Sequence, residues 1–444
     1  MHLLLRAPVP GALRRLAAPN VAATAAMTAV TFADAWYVGQ LGTVALASLA
    51  LVFPFQTLMQ MMAGGAIGGG TTSAVARAMG AGEQERAGSI AWHTVAVALA
   101  MAGIYIMGLG VFSRSVFGLI GGKGEVLDGA VLYAAIAFGG APSLWLVWVL
   151  SAVLRGTGDT ATPARAIITA SLCQVALSGA LTLLWGPFPA LGIAGPAVAM
   201  VTCLGGASIY LLYHLASGRA GIGLKPQPLR WEPVKAIMQV GGIGLVNSIS
   251  IALTVVVVTA VVARYGVEAL AGYGLGSRLE LMLVPVAFGV GAALTAAVGA
   301  NFGARQYARA RRFAWTGGGV TFLAVGILGL VVAAYPALWL GNFTQDSAAF
   351  AFGALYLGIA GPCYGLFAGG QTLYFASQGT GRMALPVLVG FLRLATVAGV
   401  GVSAIAFDWG ITAVFGGVAA GLALIGVGLS LCLFSRAWRP DRAG

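Results

Sequence analysis

Long apolar stretches alternate with short polar breaks along the whole chain, and few of those stretches contain a charged residue. A membrane-spanning helix needs about 20 apolar residues, so the stretches between the breaks are candidate spans. We predict about twelve spans. They cover residues 15–39, 44–76, 87–112, 126–154, 163–184, 191–214, 234–263, 269–299, 310–340, 347–376, 384–407 and 411–434.

The composition excludes a water-soluble domain. Of 444 residues, 59% are hydrophobic and 8% are charged, whereas soluble domains carry about 25% charged residues. The 67 glycines fit this class, because transmembrane helices tolerate glycine and use it for close helix approach. We therefore predict an all-α integral membrane protein.

The net charge of +12 raises the alternative of a nucleic-acid-binding protein. Most Lys and Arg residues, however, fall on the same side of the predicted spans as the two termini. Only Arg114, Lys123 and Arg264 fall on the other side. Because basic residues in short loops stay in the cytoplasm, this pattern predicts an inner-membrane protein with both termini cytoplasmic and leaves no basic surface for nucleic acid.

An internal repeat divides the chain into two halves. The segment LYAAIA at 132–137 returns as LYLGIA at 355–360, and the turn GTG at 156–158 returns at 379–381, each 223 positions later. Six spans per half make the repeats parallel, so we predict two six-helix bundles related by a pseudo-twofold axis along the membrane normal. Such bundles enclose a cavity near the midplane and can rock for alternating access.

The predicted boundaries of the two bundles follow from the longest polar stretch. Residues 218–233 contain Pro226, Pro228 and several basic residues and are typical of a cytoplasmic linker. We therefore predict an N-terminal bundle over 1–217 and a C-terminal bundle over 234–444.

Two acidic residues, Asp34 and Glu280, lie within apolar spans. A charged carboxylate at the centre of a span costs about 2.5 to 3.5 kcal/mol on insertion scales, so such a residue faces a cavity or a partner and marks an ion path. Burial disfavours the charged form. A site that is hydrated in one state and dry in the other can therefore take up and release a proton, which makes Asp34 the predicted coupling residue.

Glu280 belongs to a second candidate group of charges with Arg278 and Arg393. Residues two apart point to different helix faces, so we expect Arg278 and Glu280 to contact other helices rather than each other. A structural role is the alternative for Glu280. For Arg393, pairing with a carbonyl or carboxylate would stabilise the C-terminal half.

Aromatic and thioether side chains can line an adaptable pocket for flat hydrophobic cations. The candidates are Met27, Tyr37, Phe53, Met59 and Met62, with packing against lipid or core as the alternative for each. The four cysteines and three histidines match neither a metal site nor a disulfide framework. We predict no cofactor or metal, and H⁺ or Na⁺ as the coupling ion.

Nearly the whole chain resembles the multidrug and toxic compound extrusion (MATE) family. The motifs that carry the resemblance occur in the family's order. They are DAWYVGQLG from Asp34 followed by ALASLAL, LRGTGDTATP at 154–163, and ALAGYGLGSRLELMLVPVAFGVG at 269–291 followed by VGANFGA. The resemblance implies a secondary antiporter that exports amphiphilic organic compounds.

The resemblance also implies roles for individual residues. Asp34 occupies the family's proton or sodium site, fifteen residues after Pro19, where relatives have a helix-bending proline. The family's N-x-x-x-D pattern in span five is replaced by Gln174 and Ser178, with Thr202 in span six. Hard cations want several oxygen ligands, and spans seven and ten contain no acid, so the proton is favoured. This pattern is most similar to the DinF-like branch.

Three other functions fit the sequence less well. A lipid or polysaccharide-precursor flippase of the same superfamily shares the two-bundle plan. Its cavity would need cations to bind the diphosphate of the lipid, and only Arg278 and Arg393 lie within the predicted spans. An intramembrane enzyme such as a prenyltransferase needs paired aspartates, and no D-x-x-x-D run exists. A channel would need a selectivity loop. We expect a monomeric exporter of small amphiphiles, with cationic compounds as its main substrates.

Overall fold

The computed structural model describes residues 1–183 and 189–439, and the described residues contain helices and loops but no strand. Thirteen long helices carry the fold. In chain order they are α1 Val9–Gly39, α2 Thr43–Gly80, α3 Gln84–Val111, α4 Gly124–Gly139, α5 Ala141–Thr157, α6 Ala161–Leu183, α7 Ala194–Ala216, α8 Trp231–Tyr265, α9 Val267–Gly303, α10 Tyr307–Ala334, α11 Ser347–Thr380, α12 Ala384–Ala406 and α13 Gly410–Cys432.

Eleven of these helices in the described part of the chain are long and apolar enough to cross a membrane. The pair α4 and α5, bent by 44°, supplies a twelfth span if it is counted as one. The predicted span 126–154 corresponds to this bent pair. The prediction of an all-α membrane protein with about twelve spans is confirmed.

Some predicted boundaries differ from the observed ones. Helix α1 begins at Val9 rather than Arg15, because Pro10 stands in the first turn, where a helix tolerates proline. Helix α10 ends at Ala334, and Pro336 separates it from the short helix Ala337–Leu340. The predicted end of span five at Leu184 and the predicted cytoplasmic Arg442 lie outside the described residues.

Two hydrophobic cores match the two halves of the chain. One core is built mainly from α8–α13, and the other mainly from α2–α7. We call the half containing α1–α7 the N-lobe and the half containing α8–α13 the C-lobe. The start of α1 crosses between them, since Leu13 and Leu16 belong to the C-lobe core. The boundaries 1–217, 218–233 and 234–444 stay a prediction.

The lobes meet most closely where α2 and α9 end. A Cβ added to Gly80 would lie 2.0 Å from the Ala300 carbonyl oxygen, and one added to Gly303 would lie 2.0 Å from the Arg77 carbonyl oxygen. Only glycine allows backbones to approach so closely. Gly381, after α11, lies against Arg77 at the same end. We call the end of the molecule defined by Gly80, Gly303 and Gly381 the closed end.

We call the interface between the two lobes the seam. Hydrogen bonds between the lobes stabilise the half of the seam next to the closed end. The Gln378 side-chain amide donates to the Gly65 carbonyl oxygen at 2.8 Å, and the Ser73 hydroxyl donates to the Gln378 carbonyl oxygen. Nearer the middle of the membrane, the Thr24 hydroxyl donates to the Pro285 carbonyl oxygen at 3.1 Å. Among the described residues, no interlobe hydrogen bond joins the opposite ends of the helices.

Candidate functional site

Asp34 lies near the end of α1 that is remote from the closed end, and it faces α6. The Ser178 hydroxyl donates to one carboxylate oxygen at 2.5 Å, and the Gln174 side-chain amide donates to the other at 3.3 Å. Residues four apart share one helix face, so α6 presents both donors together. Asp34 is only partly buried, and it forms no ion pair within 4.0 Å among the residues that the structure describes.

Polar side chains from three other helices surround this carboxylate. The Tyr133 hydroxyl of α4 donates to the Gln56 amide oxygen at 3.4 Å, and the Gln56 amide nitrogen lies 2.9 Å from the Met200 sulfur. Tyr133, Tyr37 and Cys203 all lie within electrostatic range of Asp34. Asp34 therefore lies among neutral hydrogen-bonding groups.

Thr202 was grouped with Gln174 and Ser178, but the structure places it elsewhere. Its side chain is exposed on α7, and its hydroxyl donates to the Val198 carbonyl oxygen of its own helix at 2.8 Å. The neighbouring Met200 is buried in the interior of the lobe and lies 2.9 Å from the Gln56 amide nitrogen. Helix rotation explains the difference, since residues two apart point to different faces.

The C-lobe charges form a smaller group than the sequence indicates. Glu280 of α9 accepts a hydrogen bond of 2.8 Å from the Tyr356 hydroxyl and interacts electrostatically with buried Arg393. The Arg393 guanidinium also lies over the Phe367 ring, 5.5 Å from its centroid. Arg278 is exposed and joins neither residue. Arg278 and Glu280 therefore lie on different sides of α9, and only Glu280 forms a hydrogen bond to another helix among the described residues.

Two tyrosines beside the intramembrane acids were missed from the sequence, although a signal was present. Tyr133 and Tyr356 are the tyrosines of the repeated segments LYAAIA and LYLGIA. Tyr133 lies in electrostatic range of Asp34, and Tyr356 bonds Glu280 directly. The repeat therefore places one tyrosine near the acid of each lobe, an arrangement that the sequence repeat alone could have indicated.

The five predicted pocket residues do not line one cavity. Met59 is fully buried, and Met62 accepts a hydrogen bond from the Tyr105 hydroxyl at 3.1 Å. Tyr37 is buried beside Trp36, while Phe53 is 43% exposed. Met27 alone lines a cavity at the lobe seam. Helix periodicity separates these residues, because their positions on α1 and α2 fall on different faces.

Pro19 lies within α1, which continues through it for a further twenty residues to Gly39. Proline cannot donate the backbone hydrogen bond to the residue four before it, so it weakens the helix locally. The next residue, Asn20, donates its side-chain amide to the Leu16 carbonyl oxygen at 3.3 Å. Asp34 therefore lies on a long helix that has a weak point near the closed end.

Oxygen ligands for a metal ion are few around Asp34. The described residues contain no group of three or more His, Cys, Asp or Glu side chains that could hold a metal. Besides its own two oxygens, Asp34 has the Ser178 hydroxyl in direct contact, and Gln174 presents its amide nitrogen. This set can exchange a proton and contains few ligands for a hard cation.

The fold and the intramembrane acids define a multi-pass membrane transporter built from two parallel helical bundles. The family model MatE matches residues 19–179 and 245–405, one stretch in each half. The chain therefore belongs to the MATE family, whose members are transporters rather than enzymes.

Curated relatives and solved structures are similar over most of the chain. A protein from Shewanella oneidensis named FAD transporter is 29% identical over 318 residues, covering 70% of this chain and 69% of the relative. A probable multidrug resistance protein NorM from Thermotoga maritima is 26% identical, covering 74% and 71%. A MOP superfamily transporter from Pyrococcus furiosus has a TM-score of 0.90 at 22% identity, covering 100% and 97%.

Proposed function

We propose that this chain exports amphiphilic organic compounds in exchange for protons, with Asp34 as the coupling residue. One observation carries the proposal: a carboxylate within a transmembrane helix is held by two neutral donors, Ser178 and Gln174, and has no cationic partner among the described residues. Without a fixed counter-charge, the negative charge of Asp34 can be cancelled by an ion that arrives from solution.

Protonation of Asp34 changes the balance of forces on α1. The charged form needs hydration or strong donors, whereas the neutral acid can enter a dry interior. Helix α1 packs against α6 of the N-lobe and against α9 of the C-lobe. A change in how α1 lies on α6 is therefore transmitted to the seam, where Thr24 bonds the Pro285 carbonyl oxygen.

The donor set favours the proton over sodium. Sodium needs several oxygen ligands, but only the Ser178 hydroxyl and the Gln174 amide contact the Asp34 carboxylate, and the described residues contain no cluster of three or more His, Cys, Asp or Glu side chains. Proton transfer needs only the carboxylate and access to water. The C-lobe acid Glu280 already accepts a bond from Tyr356 and faces Arg393, so we assign it a structural role.

The transport cycle follows from the predicted orientation. If the termini are cytoplasmic, the closed end faces the cytoplasm, and Asp34 lies in the outer half of the membrane. A proton entering from outside neutralises Asp34 in the conformation seen here. The lobes then part at the closed end and meet at the opposite end. The site thereby becomes accessible from the cytoplasm, where the proton leaves and substrate enters.

Substrate chemistry has two candidates. Cationic amphiphiles fit a membrane protein with a partly buried acid and aromatic side chains near it, and the NorM relatives are named as multidrug resistance proteins. An acidic, planar substrate is the second candidate, favoured by the similarity to the protein named FAD transporter. We assign the protein to the inner membrane as a monomer, and a flippase activity remains the alternative within the superfamily.

Transport in proteoliposomes tests the coupling scheme. Purified protein is reconstituted with an imposed proton gradient or sodium gradient, and ethidium movement is followed by fluorescence. We expect the proton gradient to drive ethidium movement in the wild type and Asp34→Asn to abolish it, with Asp408→Asn in an exposed loop as the matched control. Gradient-driven transport retained by Asp34→Asn at equal reconstitution contradicts the proposal, and transport driven by sodium alone contradicts the choice of ion.

A further inference from the structure

Arg155 lies in the last turn of α5 and directly follows the predicted span 126–154. The structure buries it, with 3% of its surface exposed. Its Nε–H has no hydrogen-bond partner, and no carboxylate lies within 4.0 Å among the described residues. An unpaired buried charge is strongly unfavourable, so this arginine is costly unless another state or a ligand supplies its partner.

A second unpartnered donor lies on the same face of the helix. Trp148 precedes Arg155 by seven residues, which is two helical turns, and its indole Nε1–H also has no hydrogen-bond partner. Both side chains line a narrow cavity at the lobe seam, together with Asn20 and Met27 of α1 and Phe288 of α9. Two residues with unpartnered buried donors therefore line one cavity.

The cavity is small in this conformation, and one of its walls belongs to the other lobe. Its volume of about 10 Å³ admits one water-sized group. The C-lobe residue Phe288 closes it with an edge-to-face contact to Trp148, the ring centroids lying 5.6 Å apart. Because Phe288 belongs to the other lobe, a conformation in which the lobes part at the closed end would have more space in front of Arg155.

The internal repeat shows what this position does in the other half. Gln378 lies 223 positions after Arg155 and is its counterpart in the C-lobe. Its amide crosses the seam to the Gly65 carbonyl oxygen. Arg155 also lies at the seam, but it carries a full charge, its Nε–H has no hydrogen-bond partner, and no carboxylate of the described residues lies within 4.0 Å. The described part of the chain therefore supplies no counter-charge for Arg155 in this state.

We propose that Arg155 and Trp148 bind the phosphate or carboxylate group of an exported compound when the lobes part at the closed end. A guanidinium binds these anions with paired hydrogen bonds, and the Trp148 ring offers a face on which a planar ring system can stack. The inference rests on the proposed export function and extends its substrates to planar compounds that carry one anionic group.

Two flavins that differ only in a phosphate provide the test. Binding of riboflavin 5′-phosphate and of neutral riboflavin to the purified full chain in phosphatidylcholine nanodiscs is measured by quenching of flavin fluorescence. We expect the wild type to prefer the phosphate form. Arg155→Gln should weaken its binding about 10- to 100-fold, as loss of a charge-assisted hydrogen bond predicts, and leave riboflavin unchanged.

Three further variants make the result specific. Arg165→Gln removes an exposed positive charge from the start of α6 and should change nothing. Arg155→Lys should restore part of the preference for phosphate. Trp148→Phe keeps the ring and removes the Nε1–H donor, so it should weaken binding of the phosphate form alone, and it tests the site even if Arg155→Gln fails to fold.

Several outcomes overturn the inference. Equal binding of the two flavins by the wild type, or an equal loss of both in Arg155→Gln, assigns Arg155 a structural role. If phosphatidylglycerol in the nanodiscs displaces the phosphate form and stabilises only proteins that retain Arg155, the site holds a lipid headgroup. Ethidium transport by the wild type separates these results from failure of the proposed export function, because ethidium is a cation and needs no anion site.

Discussion

The close approach of α2 and α9 at the closed end gives a prediction about the conformational equilibrium. Gly303→Ala would place a Cβ 2.0 Å from the Arg77 carbonyl oxygen, a backbone atom that cannot rotate away. An ordinary contact begins near 3.4 Å, so the two helices have to separate by roughly 1.4 Å. The substitution therefore acts against the conformation in which the lobes touch at this end.

The size of the effect follows from the cost of overpacking. Inserting a methyl group into a tightly packed interface costs about 1 to 3 kcal/mol, whereas the helix propensity of alanine acts in both conformations and leaves their ratio unchanged. A penalty of about 1 to 3 kcal/mol changes the ratio of the two conformations by roughly 5- to 150-fold. A state with parted lobes does not pay this penalty, so its population rises.

Distances between spin labels measure this ratio. Labels at Arg165 and Arg312, exposed residues near the closed end of each lobe, are introduced after replacement of the four native cysteines. We expect Gly303→Ala to increase the fraction of molecules in which the two labels are farther apart. Gly319→Ala, whose added Cβ has no atom within 4 Å, is the control. The reasoning is refuted if both variants give the wild-type distribution.

Three further outcomes are expected. Ser178→Ala should slow proton-driven ethidium movement about tenfold, and Gln174→Ala should slow it less, because the Ser178 hydrogen bond to Asp34 is the shorter of the two. Equal rates in the two variants would contradict this reasoning. Leu4→Ala should raise the hydrogen-exchange rate of the amides of residues 3–7, because the Leu4 side chain is fully buried and holds this segment against Asn301 and Arg309, which both donate to the Leu4 carbonyl oxygen. Arg6→Ala, at an exposed position, should leave these rates unchanged. Tyr356→Phe should lower the melting temperature, because it removes the hydrogen bond to Glu280, which is worth about 1 to 2 kcal/mol. Tyr335→Phe changes an exposed tyrosine and is the control. Equal melting temperatures of the two variants would mean that the Glu280 bond does not stabilise the protein.

The fold was predictable because its causes are local and repeated. Apolar length identified the spans, and the 223-residue repeat gave the two-bundle plan. Asp34 could be singled out because a charge inside an apolar span has few structural explanations. Its contact with Gln174 and Ser178 came from the family resemblance, since apolar periodicity alone does not identify which face of α6 meets α1.

The residues that the sequence misplaced depend on helix rotation and on how the lobes meet. Thr202 and Met200 lie two residues apart, and a small rotation of α7 decides which one enters the lobe. Arg155 follows a predicted span and resembles an ordinary flanking cation, yet packing of α1, α6 and α9 buries it. Such burial is a tertiary effect that no local pattern of residues encodes.

The coupling role of Asp34 is tested most directly by running the exchange in reverse. Proteoliposomes loaded with a pH-sensitive dye receive an ethidium gradient and no pH gradient, and the internal pH is followed. The wild type should move protons against the ethidium flux, and Asp34→Asn should move none while ethidium still binds. Proton movement by Asp34→Asn at the wild-type rate would contradict the account.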